Sequence, residues 1–350
     1  MRYLAFPFVL LVACSAAPGA GDDTQPQDDA DTPDATADDA APPVDAGVGT
    51  DAAAPPASNV QILVEPDGKG GQQVVDAINA AKKSVHMTMY LLTSTDVISA
   101  LIARHKAGVD VKVLLDSSTT TSNTQVFNQL KSAGVAVAWS SKSFTYTHEK
   151  CVIVDGATAW IMTMNLTQSS PSSNREYLAI DTTAADVAEA DGIFAGDFAG
   201  APPASVTGAL VVAPLNALAD LTSMIDAATS TIDLEQEEFS DYHLADALKA
   251  ALGRGVKVRV VLSDGTMTSS GQAAFSEVKG AGGKFVTLSS PYVHAKAIVV
   301  DGKTAFVGSE NVSTGSLQYN RELGVVFTVS SEVQKVSTTI AADFAKGTAI

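Results

Sequence analysis

The chain has 350 residues, enough for two domains of ordinary size, and two cysteines, which excludes a disulfide-stapled scaffold. Its 22 basic and 39 acidic residues give a net charge of -17. That balance argues against a nucleic-acid coat, because sequence-independent affinity for nucleic acid comes from Lys and Arg.

An apolar run of eleven residues, 3–13, follows the single positive charge of Arg2. This is too short for a membrane-spanning helix, which needs about 20 residues, and is typical of a secretory signal. The run ends in Leu-Val-Ala-Cys, which resembles the lipobox of bacterial lipoproteins. We predict a signal peptide at 1–13 and lipidation at Cys14; the alternative is an ordinary signal cut near Ala16. Ser15 after the cysteine favours the outer membrane of a bacterial cell envelope, and secretion is the other predicted location.

Residues 14–58 are mainly Ala, Asp, Pro, Thr and Gly, and residues 1–58 together hold ten Asp and a net charge of -9. Such a segment has too little apolar surface to offset the entropy of ordering it. We predict a disordered tether that holds the body, residues 59–350, away from a lipid surface. The Asp residues lack the spacing of an EF-hand calcium loop.

Strand and helix patterns alternate along residues 59–200. Strands are predicted at 62–64, 85–92, 109–115, 135–139, 150–154 and 157–162. Helices are predicted at 74–83, 96–107, 125–133 and 185–198. Asp155-Gly156 predicts a tight turn between the fifth and sixth strands.

A second segment, 205–350, repeats the pattern after two prolines at 202 and 203. Its strands are predicted at 231–235, 256–262, 284–288, 297–300 and 304–307, and its helices at 224–228, 244–252, 273–278 and 333–344. Helices alternating with β-branched strands indicate an α/β protein with helices on both faces of mixed sheets.

Four sequence matches relate the two segments in the same order at offsets of 146 to 148 residues. The clearest are His148-Glu-Lys-Cys-Val-Ile-Val-Asp-Gly against His294-Ala-Lys-Ala-Ile-Val-Val-Asp-Gly, and Asn174-Arg-Glu against Asn320-Arg-Glu. A nearly constant offset predicts two copies of one unit, residues 59–200 and 205–350.

The repeated chemistry is a His-x-Lys-x4-Asp motif followed by an Asn and a Glu. Side chains two apart on a strand share a face, so each His and Lys project together. Lys and Asn donate hydrogen bonds, His attacks or exchanges protons, and Glu orients a His. Two such sets facing each other would suit a phosphodiester, whose oxygens need cationic and N–H donors. The candidate set is His148, Lys150, Asn165, Glu176, His294, Lys296, Asn311 and Glu322.

Other interpretations of these residues were weighed. A lone His is usually structural, and His86, His105 and His243 have no counterpart in the other copy, so we read them that way. The Lys beside each motif His would repel a divalent metal ion, so no metal or other cofactor is predicted. Burying His, Lys, Asn and Glu together without a function would be energetically expensive.

The doubled H-x-K-x4-D-x6-G-S-x-N pattern resembles the phospholipase D superfamily, the HKD phosphodiesterases, over residues 59–350. The resemblance implies two pseudo-symmetric α/β/α sandwich halves with the active site at their seam. It also implies a metal-independent mechanism through a phosphohistidine at His148, with His294 as acid and then base. The Lys and Asn residues would hold the phosphate and the two Glu would orient the imidazoles. Asp155 and Asp301 would be structural.

The second motif fits fully, with Gly308 and Ser309, whereas the first has Met162 and Thr163 at those positions. Thr163 keeps the hydroxyl. Met162 in place of Gly is expected to narrow the space near the phosphate or to shift the backbone. Cys151, inside the first motif, is expected to be a core residue.

The superfamily includes enzymes of lipids and of nucleic acids, so the resemblance leaves the substrate open. The net charge of -8 on residues 59–350 and the predicted lipid anchor favour hydrolysis of phospholipid head groups. The alternatives are a metal-independent endonuclease and a catalytically weak envelope-anchored binding module. Because both motifs lie in one chain, a monomer is expected.

Overall fold

The computed structural model describes residues 59–67, 69–265 and 269–350. The predicted signal peptide, the lipidation at Cys14 and the tether lie outside the described residues and stay predictions.

The first half alternates strands and helices in chain order. Its elements are β1 (Val60–Glu65), α1 (Gly70–Ala80), β2 (Ser84–Met89), α2 (Thr95–Lys106), β3 (Asp110–Leu115), α3 (Thr120–Ser132), β4 (Ala136–Trp139), β5 (Lys150–Val154), β6 (Thr158–Met162), α4 (Ser170–Ser173), β7 (Asn174–Asp181) and α5 (Ala184–Phe198).

The second half repeats that order with two additional short strands. Its elements are β8 (Leu210–Ala213), α6 (Ala217–Asp226), β9 (Thr231–Gln236), α7 (Tyr242–Gly253), β10 (Lys257–Ser263), α8 (Ser269–Gly280), β11 (Lys284–Leu288), β12 (Tyr292–Val293), β13 (Lys296–Val300), β14 (Thr304–Gly308), α9 (Thr314–Gln318), β15 (Glu322–Phe327), α10 (Ser330–Lys346) and β16 (Thr348–Ala349).

Each half forms one mixed sheet, and the two sheets share a topology. The first runs β1-β7-β6-β5-β2-β3-β4 and the second runs β8-β15-β14-β13-β9-β10-β11-β16. The three strands β2, β3 and β4 are parallel, as are β9, β10 and β11, and the motif strands β5 and β13 pair antiparallel to β2 and β9. The predicted α/β class with mixed sheets in two halves is therefore confirmed.

Both faces of each motif strand are buried, which explains their unbroken apolar sequences. In β5, Cys151 and Ile153 face a central apolar cluster shared by both halves, while Val152 faces a cluster confined to the first half. β13 alternates in the same way. Helices α5 and α10 also contribute to the central cluster. The seam between the halves is thus a continuous hydrophobic core, and Cys151 is a core residue as expected.

The helix predicted at 74–83 lies earlier, at Gly70–Ala80. The reason is the Asp155 carboxylate, which accepts hydrogen bonds from the backbone N–H groups of Lys82, Lys83 and Ser84 at 2.6–3.0 Å. Those groups are therefore held in a turn before β2 and cannot extend the helix. Asp301 holds residues 229–231 in the same way, and α6 likewise lies earlier than predicted.

The predicted Asp-Gly turn is present in both halves. Asp155 and Gly156 have φ of 58° and 61°, and Asp301 and Gly302 have φ of 53° and 63°. Gly adopts this left-handed conformation without strain, and Asp tolerates it better than most residues. Each turn places its Asp carboxylate at the backbone N–H groups that follow α1 or α6.

The halves also exchange backbone pairing at the seam. β12, which precedes His294, pairs parallel with the start of β7 in the first half. Thr147, which precedes His148, forms a parallel bridge with Arg321 in the second half. Each motif histidine is therefore introduced by a segment bound to the other half.

Candidate active site

His148 lies at the seam just before β5. Its backbone N–H donates to the carbonyl of Arg321 at 2.9 Å, and its Nδ1 lies 3.0 Å from both carboxylate oxygens of Glu322. The imidazole and the carboxylate are both buried. A carboxylate accepts the Nδ1–H, which leaves the lone pair on Nε2 in the neutral ring. Such a ring can act as a nucleophile or a base through Nε2.

His294 repeats this arrangement in the opposite direction. Its N–H donates to the carbonyl of Arg175 at 3.3 Å, and its Nδ1 lies 2.9 and 3.0 Å from the two carboxylate oxygens of Glu176. Each imidazole is therefore oriented by the glutamate of the other half. The sequence predicted the two glutamates as orienting residues but could not assign either to a histidine.

The two glutamates sit in matching polar nests. Asn174 and Thr163 donate to Glu176 at 3.1 and 2.5 Å. Asn320 and Ser316 donate to Glu322 at 3.1 and 2.8 Å. Burial raises the pKa of the Glu322 carboxyl, but the adjacent His148 and Lys150 outweigh burial and hold that pKa below its usual value.

Thr163 and Ser309 perform one local task in the two halves. The Thr163 hydroxyl accepts the N–H of Tyr177 at 2.9 Å, and the Ser309 hydroxyl accepts that of Leu323 at 3.1 Å. Both hydroxyls also hydrogen-bond the glutamate of their own half. The hydroxyl at this position therefore links the end of one strand to the carboxylate on the next.

The motif lysines are fully buried beside their histidines. Lys150 Nζ donates to the His148 carbonyl at 2.5 Å and lies 4.9 Å from the centre of the Tyr90 ring. Lys296 Nζ donates to the His294 carbonyl at 2.9 Å and lies 2.5 Å from the Glu237 carboxylate. The two ammonium groups thus have chemically different neighbours.

Asn165 and Asn311 follow the equivalent strands β6 and β14, and both are buried. The Asn165 side-chain oxygen accepts the N–H of Leu91 at 3.3 Å, so the NH2 group of this amide points away from Leu91. The Asn311 backbone N–H donates to the Ser316 hydroxyl, which in turn donates to Glu322. The predicted set is thus distributed over one seam.

Tyr90 and Glu237 also border the two imidazoles, although no repeated motif identified them. Tyr90 packs edge-on against His148 with ring centres 4.6 Å apart, and Glu237 Oε2 lies 3.6 Å from His294 Nε2. Each follows directly after the parallel strand that pairs with the motif strand of its half, β2 or β9. That position was an available signal, since residues after the carboxyl ends of parallel strands commonly line α/β sites.

Two cross-half ion pairs flank the site. Arg321 Nε lies 2.9 Å from Asp197 at the end of α5, and Arg175 Nε lies 2.6 Å from Asp343 near the end of α10. Both arginines belong to the repeated Asn-Arg-Glu sequence, so the arginine and glutamate of one motif both contact the other half.

A buried acidic residue stands next to His148 in the chain. Burial, together with the negative charge of Asp197, raises the pKa of the Glu149 carboxyl to about 8. Burial also raises the pKa of Glu310 well above its usual value, with the charge of Glu322 as the next cause. Both shifts favour the protonated form of the carboxyl, which avoids a cluster of buried negative charges.

The sequence matches the family described as "Cardiolipin synthase, PLD-like domain" over residues 74–198 and again over residues 221–345. The chain belongs to the phospholipase D superfamily. The resemblance inferred from the two His-x-Lys motifs is thereby confirmed.

Proteins similar to this chain in sequence or in fold include phospholipid synthases and a polyphosphate kinase. Cardiolipin synthase 1 of Bacillus anthracis is 24% identical over 330 residues, covering 79% of this chain and 65% of the relative, so the chain spans less than two thirds of that protein. A phosphatidylserine synthase of Haemophilus influenzae Rd KW20 has a TM-score of 0.63 at 10% identity, over 83% of this chain and 87% of that one. A polyphosphate kinase of Porphyromonas gingivalis has a TM-score of 0.62 at 13% identity, over 81% and 50%. The two structures support the fold alone.

Met162, which stands where the superfamily pattern has Gly, packs in the core. It is fully buried in the first-half apolar cluster and lies opposite Leu178 in the sheet register. Gly308 instead lies opposite Gly324, whose Cα would be 2.6 Å from an added Cβ. The side chain at this position therefore packs in the core, and the residue opposite it in the sheet decides how much space it has; the predicted narrowing near the phosphate stays a prediction.

Within the part of the chain that the structure describes, none of the helices has both the length and the apolar character to cross a membrane. In the same ranges, no group of three His, Cys, Asp or Glu side chains has the geometry to hold a metal ion.

Proposed function

We propose that this chain is a phosphodiesterase that cleaves the head-group phosphodiester of phospholipids through a covalent phosphohistidine. The observation that carries the proposal is the pair of buried imidazoles at one seam, each oriented through Nδ1 by a carboxylate of the other half. This arrangement presents two Nε2 atoms for two-step displacement, with a lysine beside each ring.

In the first step, His148 Nε2 attacks phosphorus and the bond from phosphorus to the head-group oxygen breaks. His294, which carries a proton on both ring nitrogens at this stage, gives its Nε2 proton to that oxygen. In the second step, His294 takes a proton from water or an alcohol, whose oxygen attacks phosphorus as the bond to His148 breaks. Lys150, Lys296, Asn165 and Asn311 would hold the non-bridging oxygens throughout.

The choice of His148 as nucleophile follows the superfamily resemblance and is supported by the local charges. The carboxylate of Glu237 lies beside His294, whereas an aromatic ring lies beside His148. An anionic phosphodiester meets less repulsion on the His148 side. Glu176 and Glu322 orient the rings, and Asp155 and Asp301 have structural roles in this proposal.

Phospholipid is proposed as the substrate because the matched family is that of cardiolipin synthases and because residues 59–350 carry a net charge of -8. Two basic side chains that could serve a nuclease are already engaged. Arg259 forms two hydrogen bonds to Asp233 at 2.6 and 2.8 Å, and Arg254 donates to the carbonyls of Ile225 and Asp226.

The test incubates the full chain with phosphatidylcholine or phosphatidylglycerol in neutral detergent micelles, and with plasmid DNA, each with EDTA. We expect phosphatidic acid, or a phosphatidyl alcohol when alcohol is added, and an acid-labile phosphate adduct on the protein. Both should vanish in His148→Ala and persist in the control His105→Ala. DNA cleavage without lipid turnover would favour the nuclease, and no turnover of either substrate would favour the binding module.

A further inference from the structure

The two halves differ at one equivalent position inside the site. Tyr90 follows β2 and Glu237 follows β9, at an offset of 147 residues. Tyr90 contacts His148 and Lys150 through its ring, whereas Glu237 contacts His294 and Lys296 through its carboxylate. The pseudo-symmetric pocket is therefore asymmetric in charge.

The Glu237 carboxylate lies closer to solvent than the Lys296 and His294 side chains that it contacts. Its Oε2 lies 2.5 Å from Lys296 Nζ and 3.6 Å from His294 Nε2, and its Oε1 accepts the Tyr292 hydroxyl at 3.0 Å. Its side chain is 10% exposed, compared with 0% for Lys296 and 2% for His294. A group that reaches His294 Nε2 therefore meets this carboxylate.

The charges near Glu237 are unevenly distributed. Lys296 neutralises part of its charge, and Tyr292, which donates a hydrogen bond, adds no charge. The buried Glu176, which is bound to Nδ1, and the Lys296 ammonium also lie near His294. The His294 side of the pocket thus presents an acceptor to incoming groups, and anionic groups are disfavoured there.

We infer that Glu237 is a specificity-determining residue that selects hydroxylated or cationic groups, and rejects anionic ones, at the leaving and accepting side of the reaction. The inference rests on the proposed function, in which His294 protonates the leaving oxygen and later deprotonates the acceptor. The carboxylate accepts a hydrogen bond from a second hydroxyl or an ammonium of the same alcohol. A small polyol or an amino alcohol would satisfy it, whereas an acidic alcohol would not.

The test measures which acceptor wins in a single reaction. The full chain acts on phosphatidylcholine in neutral detergent micelles with equal amounts of ethanolamine, ethylene glycol and glycolate, three two-carbon alcohols of different charge. In each transfer the alcohol loses its proton to His294, its oxygen bonds to phosphorus, and the bond to His148 breaks. Mass spectrometry gives the ratio of phosphatidyl products, which does not depend on total activity.

For the wild-type chain we expect phosphatidylethanolamine to exceed phosphatidylglycolate by at least about tenfold, the worth of one charge-assisted hydrogen bond. Glu237→Gln should shift that ratio about tenfold toward glycolate, and Glu237→Asp should keep the preference for ethanolamine. The neighbouring control Glu238→Gln should leave the ratio unchanged.

Equal use of ethanolamine and glycolate by the wild-type chain would overturn the inference without any variant. An unchanged ratio in Glu237→Gln would overturn it as well. In both cases lipid turnover by the wild-type chain shows that the proposed function stands. If the wild-type chain forms neither phosphatidic acid nor any phosphatidyl alcohol, the proposed function fails, and this inference fails with it.

Discussion

Replacing Glu322 or Glu176 by Gln tests whether each carboxylate serves the histidine of the other half. Gln keeps the size of the side chain but removes the charge, and its amide can present an NH2 group to Nδ1 instead of an oxygen. Glu322→Gln should therefore impair His148, and Glu176→Gln should impair His294, although each glutamate lies in the opposite half.

The expected decrease in rate follows from the hydrogen bonds that each carboxylate makes. Each carboxylate makes a buried charge-assisted hydrogen bond to Nδ1 at about 3.0 Å, and such bonds contribute about 1.5–3 kcal/mol. Lost from the transition state, that energy corresponds to a rate decrease of about 10- to 150-fold. A larger decrease would indicate that the ring also changes tautomer.

The assay separates the two roles by the leaving group. With a p-nitrophenyl phosphodiester, the leaving phenolate needs no proton, so the rate of the p-nitrophenol burst depends on the nucleophile and hardly on the acid. Glu322→Gln should slow this burst by the full factor, while Glu176→Gln should leave it within about threefold of wild type. With a phospholipid, both variants should be slow.

The control is Asn320→Ala, which removes one donor to Glu322 but keeps the carboxylate, and should cost less than Glu322→Gln. Equal slowing of the burst by Glu176→Gln and Glu322→Gln would refute the division of labour between the two histidines. Slowing by Glu176→Gln alone would reverse their roles.

Three further predictions concern stability. The pKa of the Glu149 carboxyl is raised from 4.5 to about 8, so the stability it contributes is complete below pH 4.5 and is lost as the pH rises through 8. In urea unfolding, the free energy of unfolding of Glu149→Gln should therefore rise relative to wild type by up to about 5 kcal/mol between those pH values. A difference that stays constant with pH would contradict this. Arg321→Met leaves Asp197 buried without its cation and should cost about 3–5 kcal/mol at pH 7, most of it recovered by adding Asp197→Leu; no recovery would show that packing of the arginine matters instead. Asp301→Ala removes the acceptor for three backbone N–H groups from a residue at φ 53° and should lower the unfolding free energy by about 1–3 kcal/mol, with Asp301→Asn intermediate; an unchanged midpoint would show that water replaces the carboxylate.

Much of the fold could be predicted because its signals are local. The apolar runs at β3, β5 and β10 are buried on both faces, and the Asp-Gly turns have the left-handed backbone that their sequence favours. The end of α1 could not be predicted, since Asp155, far away in sequence, takes the N–H groups that would have extended the helix. β7 and β15 were not predicted, because Arg175 and Glu176 in β7 and Glu322 at the start of β15 obscure the strand pattern.

The candidate site was predicted in membership but not in pairing. The repeat identified the His, Lys, Asn and Glu residues, and their catalytic roles stay predictions. Which glutamate faces which histidine depends on how the halves pack, and no spacing within one copy carries that information. Glu237 has no repeated counterpart, since Tyr90 occupies the equivalent position, so a comparison of the two copies passes over it.

The exchanged His-Glu pairs also set when the site can form during synthesis. His148 is 174 residues from Glu322, and Glu176 is 118 residues from His294. When the first half has been synthesised, His148 is present without Glu322, and Glu176 is present without His294. The His294 ring can meet Glu176 once residue 294 is made, whereas the His148 ring has no carboxylate until Glu322 of β15 is added near the end of the chain. A growing chain therefore cannot orient both imidazoles until almost all of it is made, and a product truncated before β15 lacks the carboxylate that orients His148.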